Sequence, residues 1–162
     1  MAEDPPPPAI AAVAVPAAAG RTAYPAPFAA RVAGRERRVL GDFFGLANFG
    51  VNLTRLVPGA ISALRHAHSR QDEFIYVLEG EPTLIVDRGE TVLRPGMCAG
   101  FRAGSDEGHH LVNRTARDAV YLEIGDRSAG DEVVYPDDDI AGGASPDGRT
   151  RRFTRKDGTP FP

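Results

Sequence analysis

The sequence predicts an all-β domain, and three observations point to it. Between Phe43 and Asp126, short apolar runs recur and each is ended by glycine or proline, the pattern of a sandwich or barrel of strands roughly four to eight residues long. No stretch of that interval sustains a helical period. Glycines gather at the breaks, where tight turns take positive φ. With 162 residues, 42% hydrophobic and 25% charged, the chain fits one soluble domain able to bury a core without staples.

Taken in order, residues 1–40 read as an extended Ala/Pro-rich arm. Pro5 to Pro8 favour polyproline II and cannot run helically in series. Tyr24-Pro25-Ala26-Pro27-Phe28 has two readings: aromatics that pin the arm to the domain, or an exposed loop. Residues 41–127 form the core. Its strands are expected at Val51–Val57, Ile61–His68, Glu73–Glu79, Thr83–Asp87, Thr91–Arg94, His109–Asn113 and Ala119–Ile124. The breaks between them are Pro58-Gly59, Gly80, Gly89, Pro95-Gly96 and Gly104. Residues 128–162 form a tail with one more strand, Glu132–Tyr135, expected to pack on the barrel or on a partner subunit.

Composition narrows the function. No apolar run approaches the length of a membrane span, and the acidic, proline-rich start lacks the features of a secretory signal. A cytoplasmic protein is expected. The formal net charge of -3 argues against a nucleic-acid binder. The basic cluster Arg149, Arg151, Arg152, Arg155 and Lys156 is offset by Asp137, Asp138, Asp139, Asp147 and Asp157. A single cysteine, Cys98, fits a reducing compartment, cannot form a cysteine-based zinc site, and is expected to be buried and inert.

The chemistry lies in His66-Ala-His68 followed by Glu73. Side chains two apart on a strand share a face, so His66 and His68 project together with Leu64. A turn at Ser69–Asp72 would return Glu73 on a neighbouring antiparallel strand, on the face of Ile75 and Val77. Two imidazoles and a carboxylate then converge, a donor set for one divalent first-row metal such as Zn, Fe, Mn or Ni. In His109-His110-Leu111-Val112 the two histidines point to opposite faces, so one of them completes the set. Asp72 has the wrong parity for a ligand and reads as a turn residue. Tyr76 and Tyr121 read as packing residues. Among the arginines, Arg65 should face outward. Arg102, on the loop before His109, is the favoured substrate-binding candidate, since guanidinium suits carboxylate or phosphate.

These residues resemble the paired motif of the cupin superfamily, G-x-H-x-H-x-E-x-G followed by G-x-P-x-G-x-H-x-N. Here Gly59, His66, His68, Glu73 and Gly80 match the first part, with one extra residue after Gly59. Gly89, Pro95, His109 and Asn113 match the second, with a longer loop before the histidine. The resemblance covers residues 45–126 and favours His109 over His110 as fourth ligand. It implies a jelly-roll barrel, and it looks like a subgroup of single-domain bacterial cupins described only as uncharacterised or as candidate sugar-phosphate isomerases. The expectation is therefore a metal-binding cupin acting on a small polar or anionic molecule, as a homodimer that covers open sheet edges. An iron-dependent dioxygenase and a non-catalytic sensing cupin are the alternatives. The catalytic base is not assigned, because Glu73 could serve only if it is not firmly ligated.

Overall fold

The computed structural model describes residues 6–18, 22–144 and 151–162. Arg149 of the basic cluster, Asp147 that offsets it, Pro5 of the proline run and residues 1–4 and 19–21 of the arm lie outside them. The described residues form twelve strands: β1 Arg35–Val39, β2 Phe49–Leu56, β3 Ala67–His68, β4 Glu73–Glu79, β5 Thr83–Val86, β6 Gly89–Val92, β7 Cys98–Phe101, β8 His109–Val112, β9 Ala119–Asp126, β10 Glu132–Val134, β11 Ala141–Ala144 and β12 Arg151–Thr154. One helical turn, Leu40–Phe43, and two short 3-10 turns accompany them. No helix among the described residues is long and apolar enough to cross a membrane.

The strands form three antiparallel sheets, with orders β1-β2-β9-β4-β7, β12-β11-β10-β3 and β6-β5-β8. This is the all-β jelly-roll arrangement expected from the pattern. In β4, buried Ile75 and Val77 alternate with exposed Phe74, Tyr76 and Leu78, the period-2 signature of a strand with one face in the core. Leu56, Ile75, Val77, Leu93, Leu111 and Tyr121 form the principal core cluster. Gly80 closes the turn after β4 at φ +75°, where an added Cβ would lie 2.5 Å from the Asp118 carbonyl oxygen.

A second core cluster, Leu64, Val133, Tyr135 and Ile140, recruits Tyr24, Phe28, Phe153 and Phe161. Of the two readings of the Tyr24–Phe28 segment, the pinned one holds: the Tyr24 ring lies 5.3 Å from Phe153 and 5.9 Å from Tyr135.

Four strands were not foreseen. β1 is a cationic run, Arg-Glu-Arg-Arg, with no apolar alternation, yet it pairs along its whole length with β2. β7 is short and holds a glycine. β11 and β12 lie beyond the motifs and extend the sheet of β10 and β3. The expected strand Ile61–His68 is broken. Its backbone bonds intermittently to β8 through Ser62, His66 and His109, and only then pairs with β10 as β3. Cys98 corrects the expectation of a buried thiol: it is exposed, because it stands opposite Tyr76 on the outward parity of β4.

Candidate metal centre

The described groups that could hold a metal converge on one carboxylate oxygen. Glu73 Oε2 lies 3.4 Å from His66 Nε2, 3.3 Å from His68 Nε2 and 2.9 Å from His109 Nε2. The donor atoms of His66, His68 and Glu73 all lie within 4.8 Å of one another. His109 joins through its contact with Glu73 and is not part of that mutual set. Its ring stacks on Phe101 at 3.6 Å. His66 is bridged to His109 across the backbone, His68 ends β3, and Glu73 begins β4.

Glu73 does not arrive by a hairpin, as its spacing suggested. β3 pairs with β10, whereas β4 pairs with β9 and β7. The Ser69–Asp72 link therefore crosses from one sheet to another, and the carboxylate meets the imidazoles from the opposite wall. Asp131 holds this crossing: its Oδ1 accepts the Arg70 and Gln71 amides at 3.0 and 3.3 Å. Asp72 accepts the Ala103 amide at 2.8 Å, as a turn residue.

The outer nitrogens decide what the inner ones can do. His66 Nδ1 lies 2.8 Å from the Leu64 carbonyl oxygen, and His68 Nδ1 lies 2.6 Å from Asp131 Oδ2. Both partners only accept, so each Nδ1 carries a proton; the inward Nε2 is then a lone pair in the neutral ring and an N–H in the protonated one. Two neutral rings facing an anionic oxygen are unfavourable without a cation among them, whether protons on the rings or a metal ion. Separations of 3.3 and 3.4 Å are those made by ligands about 2.1 Å from a shared ion. The donor set fits a divalent metal.

The electrostatics agree. Burial pushes the Glu73 carboxyl up, but hydrogen bonds with His109 and His66 outweigh it and hold the group well below its ordinary range. Burial lowers the His109 pKa, with Glu73 opposing. Burial likewise lowers His110, whose Nδ1 contacts the Ala63 carbonyl oxygen at 3.1 Å. His110 lines the cavity but stands outside the cluster.

That cavity measures about 610 Å³ and opens over the cluster. Its charged lining among the described residues is Arg35, Arg37, Glu73 and Glu123. Arg102 is exposed and is not in this lining. Arg65 faces outward, 2.6 Å from Asp137 and also bonded to Asp87. Tyr121 is fully buried and its wall position is mainly packing, but it too lines the cavity. Sequence reasoning missed Arg35, Arg37, Glu123 and Asp131. The alternation Arg35-x-Arg37 before the first apolar strand was the available signal for two of them. Nothing comparable marked Asp131.

Three comparisons bear on these observations. A family model described as a cupin domain matches residues 52–125. A structure from Silicibacter pomeroyi, a sugar phosphate isomerase from a cupin superfamily, is 42% identical, with 96% of this chain and 97% of that chain covered and a TM-score of 0.88. A candidate sugar phosphate isomerase from Acidithiobacillus ferrooxidans is 27% identical over 79% of this chain and 80% of its own, with a TM-score of 0.69. The polyketide cyclase RemF of Streptomyces resistomycificus, 21% identical over 73% of this chain and 78% of its own, shares the fold with a TM-score of 0.59. No curated protein sequence matches significantly.

Proposed function

This chain belongs to the cupin superfamily, and we propose that it is a metal-dependent isomerase acting on a small polar molecule of the sugar-phosphate type. One observation carries the reading: two imidazoles whose Nδ1 atoms are held by acceptors aim Nε2 at a carboxylate oxygen at the floor of a cavity of about 610 Å³. The Silicibacter pomeroyi relative, similar over nearly all of both chains, supports the substrate class.

His66, His68 and Glu73 hold the ion, and His109 is the fourth ligand. A divalent ion there supplies Lewis-acid polarisation of a substrate carbonyl. Zn, Fe, Mn and Ni all suit the donor set. Isomerisation also needs a base that takes a proton from one carbon and returns it to the next. Glu123 fills that role. It pairs with Ile75 in the register, while Gly125 pairs with Glu73, so the two carboxylates are diagonal neighbours about 7–8 Å apart at the backbone. Asn52 Nδ2 donates to Glu123 at 3.2 Å and orients it. Glu73 is thereby released from the double duty the motif alone would assign it.

The reading includes a cytoplasmic homodimer. The exposed row Phe74, Tyr76 and Leu78 offers a second copy an apolar face.

The test is a paired aerobic and anaerobic assay of metal-loaded protein against a panel of aldose and ketose phosphates. Interconversion without oxygen uptake, lost in Glu123→Gln while metal content holds, supports the proposal. Oxygen consumption with an oxidised product, or a ligand that raises Tm and is never turned over, would overturn it.

A further inference from the structure

Arg35 and Arg37 stand two apart on β1, so their side chains share a face, and both enter the cavity that holds the histidine cluster. β1 lies three strands from β4 in the sheet. At about 4.8 Å per strand, roughly 14 Å of sheet separates the arginines from the strand that carries Glu73. Glu123, on β9, stands between them.

The two guanidinium groups are under-compensated. Arg35 Nη1 donates to the Ser62 carbonyl oxygen, a neutral acceptor. Arg37 Nη1 lies 3.8 Å from Glu123 Oε1, a carboxylate already shared with Asn52 and Thr54. Burial, and then the neighbouring Arg37 charge, lower the pKa of Arg35, as expected of like charges held together away from water. With neutral imidazoles, Arg35 and Arg37 balance Glu73 and Glu123. A divalent ion on the cluster would leave the lining two units positive, the complement of a phosphate monoester dianion. Guanidinium forks suit such an anion because they can donate in pairs.

We propose that Arg35 and Arg37 form an anion subsite that takes the phosphate of a small phosphorylated substrate, at the end of the cavity opposite the histidine–glutamate cluster. This rests on the isomerase reading and assigns the part of the site that the cupin motifs do not touch. A carbonyl end directed to the cluster and a phosphate end directed to β1 would set the substrate's orientation and place Glu123 alongside its middle.

The experiment is calorimetric titration of inorganic phosphate, ribose 5-phosphate and ribose into wild type, Arg35→Gln, Arg37→Gln and Arg37→Lys, with metal content counted in each. The wild type is expected to prefer ribose 5-phosphate to ribose. Arg37→Gln is expected to lose roughly ten- to hundredfold in affinity for the phosphate probes, with ribose binding and metal content unchanged, and Arg37→Lys to recover part of it. Arg35 braces Ser62, so its variant could unfold. Arg37, with 32% of its side chain exposed, keeps the test decisive. Unchanged phosphate affinity in a folded Arg37→Gln protein that retains metal would overturn the subsite and leave the metal reading standing. Arginine-dependent phosphate binding in a protein that never takes up metal would uphold the subsite and remove the isomerase reading.

Discussion

His68 is clamped between two carboxylates: Nδ1 stands 2.6 Å from Asp131 Oδ2, and Nε2 stands 3.3 Å from Glu73 Oε2. Asp131 is only 2% exposed, so its charge is spent on His68 and on the amides of the crossing segment. Removing such an outer partner ordinarily costs about 10- to 100-fold in metal affinity. Asp131→Asn is expected to weaken metal binding by that order in a chelator competition. Asp131→Ala should in addition lower stability by about 1–3 kcal/mol, because it strands buried amide donors. Unchanged affinity in both variants would show that the clamp is merely structural.

His109 and His110 are adjacent but unequal. His109 contacts Glu73 at 2.9 Å, whereas His110 turns its Nδ1 to the Ala63 carbonyl oxygen. His109→Ala should weaken metal binding at least tenfold, the low end of what losing even an outer partner costs, and His110→Ala should leave it near wild type. The reverse pattern, read from the same competition, would exchange their roles.

Acid should destabilise the metal-free protein through two groups of the same sign. The folded Glu73 carboxyl lies well below its ordinary value of 4.5, so its contribution is present above that pH and is lost as pH falls toward the folded value. The folded His109 lies below its ordinary 6.5. The unfolded chain therefore binds that proton first, and stability falls as pH drops below 6.5. The Tm of chelator-treated protein is expected to decline from about pH 7 to about pH 4, and the decline near pH 6 should shrink in a folded His109→Gln variant.

Gly80 ends the site strand β4 and turns the chain toward β5 in another sheet. At φ +75°, with an added Cβ 2.5 Å from the Asp118 oxygen, Gly80→Ala should cost about 1–3 kcal/mol by denaturant titration, whereas Gly143→Ala, where a Cβ meets nothing within 4 Å, should cost far less. Equal effects would mean that the turn adjusts freely.

The proposed dimer has a direct check in sedimentation. Wild type should sediment as two copies, and Tyr76→Glu, which puts a charge in the exposed row of β4, should shift it toward one. A monomeric wild type would remove the dimer from the account.

Much of this was legible before the structure because strand period and ligand spacing are local. The bounds of β4 follow from the alternation Glu73 to Glu79, and the projection of His66 with His68 follows from parity. What was not legible is long-range. A four-residue link between His68 and Glu73 suits a hairpin or a crossing between sheets equally, and only the competition of β9 and β10 for partners decides it. Arg35 and Arg37 were hidden because a cationic run carries no apolar signature. β2 supplies the pairing that makes it a strand. Cys98 was misjudged because burial depends on which parity of β4 it opposes.

The central claim is that this chain's histidine–glutamate cluster holds a metal. The most direct test is the metal content of untagged protein by mass spectrometry, beside a His66→Ala/His68→Ala double variant. About one divalent ion per chain, lost in the double variant while the fold persists, is the result expected from the donor set. No metal in the wild type even after reconstitution, or the same metal content in both proteins, would contradict it.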